Sequence, residues 1–585
     1  MIRRNLLAAV FATLPALAQS PHATPPPPTG TVEGRVLGPD GQPMRNVEVI
    51  AAPDRRSSDV LARTRTDGEG MFVIARLPVE RGCSIRATVP GLTTATGFAS
   101  LTPEQPNAGV ELRLWHANTL RGRVVDTDGK PIANAAVLGS KDFAFFATLS
   151  PEARTDAEGR FELRGVPIGD CVVRAAAPGF VMGEHPVFAV SDTEVEVRLA
   201  RGPGVQLTVS TEGLPVEVRT KTTVHISVTR GGTSVYLPRF IERNPLDADG
   251  RLVLTGLPDA EWTVSLEAEG FTFEPRGVRT KSGQTSYTLP FRAAAEVEMS
   301  LRGVLRSTDG KPLANQTLSC GTRQSQSMKG GPRRATTDAE GRFVLQAPLV
   351  LNESYNLQLV GSPWALQQEK NERSDTVDLR SRVRWQETAD PTRELALVAA
   401  PASFVTGRLL DPDGKPVPFV WTSLQGRRAN VQPPWGDIAN ATSTRDGRLQ
   451  FPGVHGLDLD LRLHAAGTGA GSSEEFRLQA GERREVKLVM ERPGVVRGRV
   501  FGADGTPLAG VRVSMGNYDV ATRQQIDGSW DVVPSDREGR FVFTGVAPGG
   551  HMVTLSRHET AGKGQTAVFD VAPGGTAEVD LQLAR

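Results

Sequence analysis

Three pairs of carboxylates stand two residues apart just before a glycine: Asp126 with Asp128, Asp247 with Asp249, and Asp411 with Asp413. Hard cations such as calcium take several carboxylate oxygens, so the pattern invites a metal reading. An EF-hand loop would place Glu eleven positions after the first Asp, where Asp126 meets Val137 and Asp411 meets Thr422. The Asp and Gly residues therefore read as turn formers. A weak site completed by a neighbouring copy of the pattern is the alternative. None of the eight histidines begins a His-x-x-Glu, the pairing a zinc carboxypeptidase needs. A Gly-x-Ser-x-Gly elbow, a phosphate-binding loop and a His-Glu-x-x-His pair are absent from the sequence too. The run Gly467-Thr-Gly-Ala-Gly471 follows a strand with no helix after it and reads as a flexible loop. No catalytic residue, metal ligand or cofactor is expected.

Aromatic side chains offer binding rather than reaction. Phe143, Phe145 and Phe146, then Tyr236 and Phe240, Trp435, and Tyr518 with Trp530 fall in segments that vary while their surroundings recur. Ring faces on variable loops stack on sugars, so Trp435, Trp530, Tyr518, Phe143 and Phe146 are the candidate ligand-binding residues. The competing reading is that these rings cover the edge of a sandwich. Trp435 lies in Gln432-Pro-Pro-Trp-Gly436, a composition that reads as a loop.

The elements that would position these groups recur along the chain. One corner appears as Asp40-Gly-Gln-Pro43, Asp128-Gly-Lys-Pro131, Asp309-Gly-Lys-Pro312, Asp413-Gly-Lys-Pro416 and Asp504-Gly-Thr-Pro507. Each follows a strand glycine by six residues, at Gly34, Gly122, Gly303, Gly407 and Gly498. A second corner appears as Asp67-Gly-Glu-Gly70, Asp156-Ala-Glu-Gly159, Asp338-Ala-Glu-Gly341 and Asp536-Arg-Glu-Gly539, shortened at Asp249-Gly250 and Asp446-Gly447. An apolar residue two positions later opens the next strand: Phe72, Phe161, Leu252, Phe343, Leu449 and Phe541. Alternating apolar residues between turn signals predict half-buried strands, and the spacing predicts six repeats. Their expected ranges are 31–115, 116–200, 201–293 (divergent), 294–400 (with an insertion carrying Trp364 and Trp385), 401–491 and 492–585.

Gly122-Arg-Val-Val-Asp-Thr-Asp-Gly-Lys-Pro131 paired with Thr155-Asp-Ala-Glu-Gly-Arg-Phe161 resembles the carboxypeptidase regulatory-like domain, and the resemblance extends over nearly the whole chain after its leader. That family implies an all-β, tandem array of small Greek-key, transthyretin-like (prealbumin-like) β-sandwich domains. Related sandwiches include carbohydrate-binding modules. The resemblance implies no catalytic residue, because the family's enzymology lies in a separate domain.

Arg3-Arg4, an apolar run from Leu6 to Leu17 and Ala16-Leu-Ala18 read as a signal peptide over 1–18, cut before Gln19 and followed by a Pro-rich linker over 19–30. The Sec route and a loose twin-arginine route both fit. The chain has 67 Lys plus Arg against 66 Asp plus Glu, so losing Arg3 and Arg4 takes the formal charge from +1 to −1. Near-neutrality argues against nucleic acid, and no later apolar run is long enough for a transmembrane helix. Cys83 and Cys171 occupy a slot after a glycine turn that later repeats fill with Trp262, Tyr355 and His551, which predicts an inward strand position; Cys320 is unpaired by count. Short, Pro-containing linkers suggest a monomeric, elongated string with a reach of roughly 200 Å. The expected role is non-enzymatic and structural or binding, at a bacterial cell envelope, in the periplasm or at the surface. Its partner would be an envelope protein or a glycan. Carbohydrate binding through the aromatic loops, and an accessory part of an envelope protease or transport system, are the alternatives.

Overall fold

The computed structural model describes residues 29–582 except 54–58, 80–81, 102–104, 141–151, 190–193, 231–232, 236–242, 269, 296–297, 323–332, 349–353, 368–381, 387–393, 428–434, 452, 454–459, 466–470, 520–523, 526–530 and 557–564. The leader, Phe143, Phe145, Phe146, Tyr236, Phe240, Trp530 and nearly all of the glycine-rich run at 467–471 thus lie outside the described residues.

Repeat 1 sets the pattern. Its strands are β1 (Thr29–Leu37), β2 (Glu48–Ala52), β3 (Ala62–Arg65), β4 (Met71–Pro78), β5 (Gly82–Ala87), β6 (Ala95–Ser100) and β7 (Asn107–Arg113). The first sheet runs β4-β1-β7, with β1 antiparallel to β4 and parallel to β7; the second runs β3-β2-β5-β6. Alternation does the rest. Val32 and Val36 on β1, Phe72 and Ile74 on β4, and Val110 and Leu112 on β7 turn inward against Val49, Cys83 and Ile85 of the second sheet. Pairs of sheets on this plan recur six times, each with its own core, so the chain is an all-β tandem array of sandwiches.

Both corners do what their residues dictate. Gly129 (φ +79°) turns the first corner of repeat 2 and Gly159 (φ +74°) the second, in a left-handed region that only glycine enters freely. The first Asp of each corner points its carboxylate back at the chain. Asp126 accepts from the backbone N–H of Asp128 and Lys130, and Asp411 from those of Asp413 and Lys415. These oxygens face N–H donors, which is turn chemistry rather than cation binding.

A hydroxyl just before the second corner pins the connection. Thr155 Oγ1 accepts from Ala135 N–H at 2.8 Å and donates to the Ile132 carbonyl at 2.7 Å. Thr66, Thr337, Ser443 and Ser535 do the same in repeats 1, 4, 5 and 6. The residue ahead of each bonded N–H takes positive φ: Asn46, Asn134, Asn315 and Gly510, but in repeat 5 a phenylalanine, Phe419.

Details depart from the sequence reading. Repeat 3 adds a four-residue helix, Val216–Arg219, after Gly213. In repeat 4 the expected insertion contributes strand Trp364–Leu366 to the first sheet and Arg382–Gln386 to the second, because Ala365 and Leu366 are apolar enough to be buried there. Cys83, Cys171 and Cys320 are buried, and Trp262 and His551 share the inward slot of the first two. Burial pushes the Cys83 thiol up to about 11 and that of Cys320 to about 12.

The expectation of an elongated string needs correction. Repeats 5 and 6 lie against repeat 1: Arg445 reaches Glu33 and Glu69, Gln105 donates to the Gln450 carbonyl, and Arg113 donates to Thr544. Short linkers limit only neighbouring repeats. These contacts join residues up to 431 positions apart and hold because charge and shape match between non-neighbours.

Candidate functional site

A cleft of about 670 Å³ opens where repeats 1, 2 and 6 meet. Its floor is the outward face of repeat 6's first sheet, in strands Gly494–Phe501, Arg540–Val546 and Thr576–Glu578. Because Val496, Val500, Phe541 and Phe543 turn inward, alternation puts Arg497, Arg499, Arg540 and Val542 on the outside. The roof is Pro39 and Asp40 from the first corner of repeat 1, Trp115 and His116 from the link to repeat 2, and Ile168.

The charges in the cleft are largely spent on one another. Arg497 makes a two-nitrogen contact with Glu578 Oε1, at 2.6 and 3.1 Å. Arg540 bonds Asp536 at 2.9 Å and Glu538 at 2.7 Å, and the Asp536 hydrogen bond, above all, raises the guanidinium's pKa. Asp580 accepts from Arg499 N–H. Arg113 lies over the Trp115 ring, 4.4 Å from its centroid, while its nitrogens reach Thr544 Oγ1 and the Pro39 carbonyl, both at 3.3 Å. Trp115 packs on the core of repeat 6, and Arg537 donates at 3.0 Å to Asn118, which is buried. The lining hydroxyl of Ser535 is held by Val511 N–H and the Leu508 carbonyl, so it is a structural pin and not a nucleophile. What this arrangement does chemically is bind repeat to repeat.

The sequence-derived candidates lie elsewhere. Trp435 is the first residue of a strand, Trp435–Thr442, paired with Arg427, and not a loop residue. The pairing demands of Arg427 and Gly426 extend the hairpin past the point where two prolines suggested it stops. Tyr518, half-buried on strand Arg512–Asp519, pairs with Gln525. Both thus sit where the second and third strands of their repeats join, one in repeat 5 and one in repeat 6. Sequence reasoning missed the cleft because its residues carry only the ordinary outward half of strand alternation. The one available signal was Trp115 just past the strand that closes repeat 1, at the repeat boundary.

Among the described residues no helix is long and apolar enough to cross a membrane, and no group of three or more His, Cys, Asp or Glu side chains could hold a metal. No curated protein matches the chain. Among solved structures it is similar to GBS52, the minor pilin of Streptococcus agalactiae, at 15% identity over 31% of this chain and 95% of that one, with a TM-score of 0.21. It is also similar to a streptococcal ancillary pilin, at 13% identity over 49% and 99% with a TM-score of 0.20. The shaft pilin SpaA of Lactobacillus rhamnosus GG is matched at 12% identity over 32% and 98%, with a TM-score of 0.17. Likenesses this slight say nothing of what the chain does. The carboxypeptidase regulatory-like domain is matched at residues 119–229 and 495–584, so the chain is a repeat protein that carries carboxypeptidase regulatory-like domains.

Proposed function

We propose that the chain is an exported, non-enzymatic repeat protein with a structural or binding role at the bacterial cell envelope. The observation that carries this reading is the state of the inter-repeat cleft. Its arginines and carboxylates pair with each other across 2.6 to 3.1 Å, and its buried hydroxyl serves the backbone. Groups so engaged brace the face of repeat 6, while Arg113 on Thr544, Arg537 on Asn118 and Trp115 on the repeat 6 core hold the repeats together. The leader supports export, and the family match supports a domain type whose enzymology lies elsewhere. Cell fractionation with N-terminal sequencing tests it. A mature chain beginning at Gln19 in the periplasm or on the surface is expected; a cytosolic chain keeping Met1 overturns it. Crosslinking in the native cell then separates a free-standing scaffold from an accessory part of an envelope protease or transport system.

A second reading, carbohydrate binding, is favoured by the equivalent placement of Trp435 and Tyr518 at the same strand junction of repeats 5 and 6. Rings repeated at one end of successive sandwiches suit an extended glycan. A glycan array with the mature chain tests it, and binding to no glycan removes it.

A further inference from the structure

The outward face of the first sheet is where the repeats meet. On repeat 1 that face carries Glu33, and the second corner of repeat 5 rests there: Arg445 N–H donates to Glu33 at 3.3 Å and its guanidinium lies 3.4 Å from Glu69. On repeat 6 the same face is roofed by the first corner of repeat 1. Both occupied faces are therefore covered by a corner of this same chain, and on repeat 1 the charges are opposite. Repeat 2 shows the solvated alternative, with its outward face given to the ion pairs Arg121–Glu162, Arg164–Glu162 and Arg198–Glu196.

Repeat 4 follows neither course. Val344 is 52% exposed and Val398 is 40% exposed on strands either side of the central strand Glu298–Ser307. Val304, half-buried, lies between them on that strand. Register sets Arg302 opposite Val344, Arg342 opposite Val304 and Arg306 opposite Val398. Valines and arginines thus alternate across this face, a basic apolar face of the kind an acidic corner fits. Repeat 4 carries such a corner at the edge of this face, Asp338-Ala-Glu-Gly341, with Asp338 and Glu340 exposed.

We propose that this face is an interface between two copies of the chain, in which the corner of repeat 4 at Asp338 and Glu340 in each copy rests on the valine and arginine face of repeat 4 in the other. A two-fold contact needs one surface that carries both halves of the match, and face and corner adjoin here. Valines interleaved with arginines offer apolar area and positive charge together, which an acidic corner can cover. The inference goes beyond the proposed function and departs from the monomer expected from sequence.

Sedimentation equilibrium of the full mature chain tests it. A dimer is expected that loosens as salt rises, because the corner-to-face pairs are exposed. Val344→Lys with Val398→Lys should raise the dissociation constant at least about tenfold, with thermal melting unchanged, since both side chains already face water. Val253→Lys, at the equivalent place on repeat 3, should leave the dimer intact. Arg302→Glu should weaken it, and adding Glu340→Arg should restore it, which a merely misfolded variant would not do. A wild-type chain that stays monomeric at high concentration, a dimer indifferent to the paired lysines, or failure of the charge swap to restore it overturns the proposal.

Discussion

Phe419 holds a left-handed backbone, φ +59°, with its ring against the bare backbone of Gly109 in repeat 1. Equivalent positions elsewhere carry Asn46, Asn134, Asn315 or Gly510, residues that tolerate this conformation. Repeat 5 thus accepts a strained bulky residue where its relatives do not, and the contact with repeat 1 is what that residue serves.

Gly109 should accordingly be intolerant of side chains even though its own backbone is unstrained. A Cβ there would stand 2.4 Å from the Ser443 carbonyl oxygen and 3.1 Å from the Phe419 ring. Gly109→Val is expected to push repeat 5 away from repeat 1, at a cost of about 1–3 kcal/mol. Small-angle scattering should show a larger radius of gyration, while far-UV circular dichroism stays that of the wild type.

Gly129→Val tests the first corner by strain alone. Nothing lies within 4 Å of a Cβ at this position, so space is open and only φ +79° resists. A β-branched residue there should destabilise repeat 2 by about 1–3 kcal/mol, read as a lower midpoint in denaturant for that repeat. An unchanged midpoint would mean that the corner relaxes freely.

The buried hydroxyl before the second corner should matter nearly as much. Thr155→Val keeps the shape but leaves Ala135 N–H and the Ile132 carbonyl without their partner. A loss of about 1–3 kcal/mol is expected, and Thr155→Ser should recover most of it. Chemical denaturation of the three proteins checks this.

How much of this was legible in the sequence follows from the range of each signal. Gly41, Gly129, Gly310, Gly414 and Gly505 were readable as corners because the need for positive φ is local and glycine meets it. The inward slot of Cys83, Cys171, Trp262 and His551 was readable because strand alternation is local as well. Thr155 was visible only as part of a turn, since its bonds reach residues 20 and 23 positions away. Trp435 was misplaced because two prolines signal a loop, whereas cross-strand pairing with Arg427 decides the matter. The packing of repeat 1 on repeats 5 and 6 left no trace beyond Trp115, because Arg113 and Thr544 look like any outward strand residues until they meet.

Acid should loosen the junction of repeats 2 and 3. Asp126 is buried and its pKa lies below the usual carboxylate value, chiefly through the hydrogen bond from Arg201 at 2.8 Å, then through Lys130 N–H. A carboxylate so depressed contributes stability that is full above its unfolded pKa, about 4, and is lost as pH falls through the folded value. Arg201→Met removes the main cause, so the acid-unfolding midpoint of the junction should move to higher pH. Tryptophan fluorescence and circular dichroism followed from pH 7 to pH 2 read the shift, and an unmoved midpoint would show that the backbone donors suffice.

Trp435 and Phe541 should respond differently to truncation. Phe541 is buried in the core of repeat 6, and Phe541→Ala should cost about 3–5 kcal/mol. Trp435→Ala, at a strand's first residue, should cost under about 1 kcal/mol and alter glycan binding instead. Equal losses in thermal melting would make Trp435 structural.

The 431 positions between Arg113 and Thr544 also impose an order of events as the chain is made. Synthesis at about 5–20 residues per second leaves repeat 1 waiting roughly 20–90 s for the repeat that covers it. During that interval its sandwich can fold on local pairing, but its face with Glu33 stays bare. Closure onto repeat 5 then carries the loop entropy of three intervening repeats, a penalty that grows only with the logarithm of length if they are still unfolded, and differently once they are rigid. The last contacts to form are therefore those between the first repeat and the last two, and a chain stalled before repeat 5 would present to its surroundings an uncapped surface that the finished protein hides.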